Sequence, residues 1–235
     1  MKKISMIGCF AVALGFIVAV WCCVGALFAP KAVFSQAETM MKIVVDAGHG
    51  GIDGGVVGKQ TGVKESDLNL QIAYRLKDVL EDKGFVVVLT RKTENGLYGM
   101  ATKGFKRRDM EERKRIIQEE NPSYVISVHQ NFYASKTSRG AQVFYNPQQP
   151  LHQALARYMQ TELNELYAKE NAKARTESKG DFYMLRCSEA PSVLVECGFL
   201  SNEKDEKLLT NAAWQTQIAT AIAAGVVRFL SESAT

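Results

Sequence analysis

Cysteine is scarce in this chain and badly distributed for a cross-linked scaffold. Cys9, Cys22 and Cys23 fall in the apolar N-terminal stretch, which leaves only Cys187 and Cys197 beyond it. Two thiols make no disulfide framework, so they read first as small buried residues and second as partners in one bridge. Cys22 follows Trp21 rather than a small residue, so no convincing lipoprotein box is present. A strong excess of one charge is also missing. The formal net charge of +4 over 235 residues gives no ground for a nucleic-acid partner, and no RNA- or DNA-binding module is visible. Internal repeats and low-complexity tracts are absent. The glycine-dense stretch Gly48-His49-Gly50-Gly51-Ile52-Asp53-Gly54-Gly55 has neither the Lys-Ser/Thr pair of a phosphate loop nor the spaced glycines of a dinucleotide fingerprint. Histidine is rarer still, with three residues.

What is present begins with an N-terminal appendage, residues 1–37, ahead of a domain spanning 38–235. Lys2 and Lys3 precede an uncharged, mostly apolar run over 4–29, closed by Pro30 and Lys31. A secretory apolar region needs ~7–15 residues and a membrane span about 20, so this run is long enough to cross. The basic flank then puts the N-terminus in the cytoplasm and the domain outside. Ser35-Gln36-Ala37 offers a small-residue cleavage site, so a cleaved signal competes with an uncleaved anchor; either way the domain is exported.

From Met41 onward, strand-like and helix-like segments alternate. The expected strands cover 42–46, 85–90, 124–129, 141–145, 182–185 and 192–196. Leu68, Ile72, Leu76 and Leu80 repeat at helical spacing, with Ser66 as N-cap and Gly84 closing the helix. Further helices are expected over 107–120, along the Leu151, Leu155, Tyr158, Met159, Leu163, Leu166 stripe, and over 212–230 with Ile218, Ile222, Val226 and Phe229 facing a core. The pattern predicts a single α/β domain with a mostly parallel six-stranded sheet flanked by helices. Residues 93–105 and 169–181 are long irregular stretches of the kind that often carry function. In the basic cluster Lys103, Lys106, Arg107, Arg108, the pairs Asp109–Arg113 and Glu111–Arg115 stand four apart, which reads as a solvated, ion-paired helix face before it reads as a polyanion site.

Two of the three histidines end apolar runs in the same way. His49 follows Lys42-Ile43-Val44-Val45-Asp46-Ala47-Gly48, and His129 follows Tyr124-Val125-Ile126-Ser127-Val128. Ligands of open α/β sheets bind outside the carboxyl ends of the strands, so this pairing points to a metal site. A catalytic zinc takes three protein ligands and leaves a fourth position open. The third ligand is a carboxylate to be found among Asp46, Asp53, Glu65, Asp67 and Glu196. Glu65 lies just before a helix, where carboxylates are also common for dipole reasons. Glu196 ends the strand Val193-Leu194-Val195, where burial is costly without a partner; a salt bridge and a general base near the metal are equal readings. Asn131, Arg186 and Asn202 stand near strand ends and serve either as substrate-orienting residues or as loop and cap residues. His152 opens a helix without strand-end context and reads as surface. Cys197, next to Glu196 in a strand, faces the other way.

Four blocks together resemble the zinc-dependent N-acetylmuramoyl-L-alanine amidases that cut peptidoglycan: Val44-Val45-Asp46-Ala47-Gly48-His49-Gly50-Gly51, Lys64-Glu65-Ser66-Asp67-Leu68-Asn69-Leu70, Ser127-Val128-His129-Gln130-Asn131, and Val195-Glu196-Cys197-Gly198-Phe199-Leu200-Ser201-Asn202. Ala47 stands where proline is usual and Gln118 where asparagine is usual; Arg113 falls where the family has an arginine. The resemblance implies Zn2+ on His49, Glu65 and His129, Glu196 as the catalytic carboxylate, and hydrolysis of the bond between N-acetylmuramic acid and L-alanine. The segment Thr102-Lys103-Gly104-Phe105-Lys106-Arg107-Arg108 is similar to the CwlD-type germination-specific amidases of spore formers. That subgroup implies a role in the cortex, where stem peptides are removed and a deacetylase then allows muramic-δ-lactam to form. Implied partners are glycan strands and stem peptides, the membrane through residues 4–29, and an activating protein. An exported zinc peptidase of stem peptides and a non-catalytic wall-binding protein are the rival expectations.

Overall fold

The computed structural model describes residues 40–100 and 103–233. The appendage over 1–37 and its expected membrane segment lie outside the described residues. Among those described, no helix is long and apolar enough to cross a membrane.

Short apolar runs form the sheet. β1 (Lys42–Ala47) is buried along almost its whole length, as a central parallel strand covered on both faces must be. It lies between β2 (Val86–Leu89) and β3 (Tyr124–Asn131), parallel to both. β6 (Ser192–Phe199) pairs parallel with β3, and β4 (Gln142–Tyr145) pairs antiparallel with β6. A two-residue strand, β5 (Ser178–Lys179), closes the edge parallel to β4, so the order is β2-β1-β3-β6-β4-β5. The sheet is mixed, with one antiparallel pairing.

Helices cover both faces. α1 (Glu65–Glu81), α3 (Pro150–Ala168) and α5 (Ala212–Ser233) pack on one, where Leu68, Ile72, Leu76, Leu155, Met159, Ile218 and Ile222 join Val45, Val128 and Val195 in the main core. α2 (Phe105–Glu120) and a one-turn 3-10 helix (Tyr183–Arg186) cover the other, around Val44, Ile117, Val125, Met184 and Cys187. A short helix, α4 (Glu203–Leu209), follows β6.

Several expectations are corrected. Residues 182–185, expected as a strand, instead cap and enter the 3-10 turn Tyr183–Arg186: Ser178–Lys179 takes the pairing with β4, and Met184 and Leu185 turn inward to be buried. Periodicity cannot separate these options over four apolar residues. Ser66 is not the N-cap; the cap is Lys64, two residues earlier, without a side-chain hydrogen bond. Gly84 does close α1, at φ 89°, with its N–H on Glu81 and the Phe85 N–H on Leu80. The Asp109–Arg113 pair forms at 2.6 Å but is buried, not solvated. Glu111 pairs with Arg107, while Arg115 pairs with Glu112 and Glu119. Cys187 and Cys197 are free, buried thiols in cores on opposite faces of the sheet, which rules out a bridge. His152 is not on the surface: it is fully buried in the first turn of α3, and neither ring nitrogen has a hydrogen-bond partner.

Candidate functional site

The carboxyl ends of β1, β3 and β6 bring the singled-out residues together. One ligand atom each of His49, Glu65 and His129 lies within 4.8 Å of the others. His49 Nε2 is 3.3 Å and His129 Nδ1 2.9 Å from Glu65 Oε1, and the two imidazoles meet edge to face with centroids 5.0 Å apart. Glu196 occupies the β6 position in register with His129, so the two side chains stand next to each other on one face. Its Oε2 is enclosed and has no hydrogen-bond partner.

The local chain is built to permit this approach. His49 itself sits in the left-handed region at φ 61°, which an L-residue adopts at some cost. Its carbonyl is held by Arg113 Nη2 at 2.6 Å, and the preceding Gly48 carbonyl by Arg91 Nη2 at 3.1 Å and Asn69 Nδ2 at 3.0 Å. Any Cβ on Gly48 would stand 2.2 Å from His129 Cε1, and one on Gly55 2.4 Å from Glu65 Oε2. Glycine at these two positions is therefore required by space. Opposite the cluster, Asp53 Oδ2 takes His49 Nδ1 at 3.0 Å, fixing the ring. Glu65 accepts the N–H groups of Val56 on Oε2 and of Gln130 on Oε1.

Electrostatics follow from this packing. Burial works to raise the Glu65 carboxyl, but hydrogen bonds and charge from His129 and His49 hold it far below the usual carboxylate range. Burial likewise works to lower the His49 imidazole, yet Glu65 and Asp53 carry it above its ordinary value. Glu196 goes the other way: burial, reinforced by the Glu65 charge and only partly countered by the histidines, raises it to about 7. Three donors converge on one point beside an orphaned carboxylate oxygen, and the donor set of two imidazoles and one carboxylate suits zinc. The residues present fit a metal ion.

A family model described as N-acetylmuramoyl-L-alanine amidase matches residues 43–228. This chain belongs to that amidase family. The amidase is 34% identical over 193 residues to the germination-specific N-acetylmuramoyl-L-alanine amidase of Bacillus subtilis (strain 168), covering 81% of this chain and 80% of that protein. The CwlD amidase of Clostridioides difficile, solved in complex with the GerS lipoprotein, superposes with a TM-score of 0.76 at 38% identity, over 82% of this chain and 99% of that one. The catalytic domain of the amidase CwlV from Bacillus (Paenibacillus) polymyxa superposes with a TM-score of 0.70 at 27% identity, over 82% and 99% of the two chains.

The rest of the amidase's candidate residues divide cleanly. Asp46 lies beneath the site, engaged by Arg113 Nη1, by Thr90 Oγ1 at 2.6 Å and by Ser127 Oγ at 2.6 Å. Asp67 lies outside the three-residue cluster. Asn202 caps α4, accepting from the Lys204 and Asp205 N–H groups. Asn131 stands two residues past His129, after a register shift in β3, half-buried, with its carbonyl on the Leu200 N–H. Arg186 is not brought to the cluster; it pairs with Asp181 in a separate depression with Lys179 and Asn146. Sequence reading missed Arg91, Asn69 and Gln130. Arg91 had a signal, since it follows the apolar β2 run as the histidines follow theirs.

Proposed function

We propose that this amidase is a zinc enzyme that releases stem peptides from N-acetylmuramic acid, with His49, Glu65 and His129 as the metal ligands and Glu196 as the carboxylate that moves the proton. The observation that carries this reading is the convergence of those three donors within 4.8 Å next to Glu196, whose Oε2 is enclosed and has no hydrogen-bond partner. Zinc, when bound there, polarises a carbonyl and lowers the pKa of water to about 7. The chain supplies the rest. Asp53 keeps the His49 ring oriented, and the Val56 and Gln130 N–H groups keep Glu65 ionised and fixed. Glu196, raised to about 7 by burial, takes a proton from the attacking water and returns it to the leaving alanine nitrogen. Asn131, at the carboxyl end of β3, and Arg186 orient substrate. Arg186 would have to leave Asp181 to do so.

The likeness to a germination-specific amidase and to CwlD supports action on spore-cortex peptidoglycan as the step before muramic-δ-lactam formation. It also supports an extracytoplasmic place, and the apolar run over 4–29 makes the 1–37 segment a membrane anchor or a signal segment. The GerS lipoprotein bound to that CwlD supports a lipoprotein partner here. The test is to incubate the zinc-loaded full chain with purified peptidoglycan and identify products by mass spectrometry. Free stem peptides beginning with L-alanine, lost with a chelator and in Glu196→Gln, are expected; cuts inside the peptide would make it a peptidase instead.

A further inference from the structure

The cleft beside the cluster is lined by the apolar Met110, Phe182, Tyr183, Met184 and Leu194 and by the polar His49, Asp53, Asp109 and His129, of which the two aspartates bring anionic charge. Two cations line it. Arg113 is only 1% exposed and spends its donors on Asp46, Asp109 and the Ala47 and His49 carbonyls. Lys106 differs in every respect. Its side chain is 71% exposed, and its contact in the cleft is Asp53 Oδ2 at 3.8 Å, an ion pair too long for a hydrogen bond. An ammonium on a flexible stem, loosely held and wet, is free to exchange one carboxylate for another.

Its position matters because Asp53 Oδ2 also holds His49 Nδ1, at 3.0 Å. Two contacts therefore link the Lys106 Nζ to the metal cluster. On the amidase reading, on which this inference rests, the scissile nitrogen belongs to L-alanine. The next stem residue is a D-glutamate joined through its side chain, so its α-carboxyl is free, up to about 7 Å from that nitrogen along two residues of extended chain. A bound substrate thus presents an anion one residue from the reacting bond, inside a cleft whose other lining groups are acidic, apolar, imidazole or already paired. We propose that Lys106 reads this α-carboxylate and makes the amidase discriminate a free D-glutamate at the second stem position from its amide. Lys106 is a specificity-determining residue here and takes no part in moving protons.

Two muropeptide substrates differing only in D-glutamate against D-isoglutamine separate the possibilities, assayed on the zinc-loaded full chain, on Lys106→Met and on Lys106→Arg. The wild type is expected to favour the free acid through KM. Lys106→Met should reduce the ratio of kcat/KM for acid over amide by about five-fold, the upper range for an exposed pair. Lys106→Arg should restore it, and the preference should shrink in 1 M salt, where screening acts over ~3 Å. An equal fall on both substrates, or no effect of the substitution, overturns the role of Lys106 while leaving the amidase reading intact. Cleavage of neither substrate by the wild type overturns the amidase reading and this inference with it.

Discussion

Glu196 shows how its surroundings set the proton affinity of a single carboxylate. Register with His129 brings it to the cluster, and enclosure of Oε2 without a donor raises it to about 7. In the metal-free chain the folded state then holds a proton that the unfolded state releases, so stability falls as pH rises from 4.5 to about 7. Glu196→Gln should remove that slope and raise the metal-free melting temperature at pH 7, while cutting zinc-dependent turnover by ~10²–10⁴-fold. Melting curves at pH 5 and pH 7 beside turnover numbers check both halves; a variant that keeps full turnover overturns the role. Gly48 is the complementary case, where the side chain must be missing. A methyl there would stand 2.2 Å from the His129 ring, so Gly48→Ala should displace the ring and weaken zinc binding by ten-fold or more, read by competition with a chromogenic chelator.

At the scale of elements, α2 is tied to the sheet by charge. Asp46 on β1 is fully buried and held at about 2 despite burial, chiefly by Arg113, with Ser127 and Thr90 adding hydrogen bonds. This contributes about 2 kcal/mol of stability above pH 4, lost as pH falls through about 2. Arg113→Met would leave Asp46 charged and unpaired, at a cost of about 3–5 kcal/mol, and denaturant titrations at pH 7 should show it. Arg113→Lys should not restore stability, because one ammonium cannot reach Asp46, Asp109 and two carbonyls together. α3 carries the opposite arrangement in His152, whose imidazole burial drives below its ordinary value. The folded state binds this proton less readily than the unfolded one, so stability is lost as pH falls below about 6.5. His152→Leu should flatten that acid slope without loss of stability at pH 8, as measured by thermal melts across the range.

At the scale of the whole molecule, residues from Met40 on form one compact unit with its own cores on both sheet faces. A fragment from Met40 to Thr235 is expected to unfold in a single cooperative transition and to retain zinc-dependent activity, tested by circular dichroism and the peptidoglycan assay. Multiphasic unfolding would contradict that.

Much of this arrangement is legible in the amino-acid sequence. Apolar runs that stop at His49, His129 and Glu196 placed those residues near the carboxyl ends of strands, although β3 runs on to Asn131 and β6 to Phe199, and strand alternation turned Cys197 away from Glu196 into the main core. Helical stripes identified α1, α3 and α5, and the four blocks identified the family. These features depend on local periodicity and on burial of whole faces, which a sequence records directly. Other features depend on which distant segment arrives first. Tyr183–Arg186 became a 3-10 turn because Ser178–Lys179 occupied the sheet edge, and Asp109–Arg113 became buried because Asp46 lay beneath α2. Asp53 was one carboxylate among five until it met the far side of His49, and Lys106 was one charge in a basic run until α2 set it at the cleft mouth. Tertiary structure decided these because a charge acquires its role from the partners and solvent around it, and those are fixed only when the chain closes on itself.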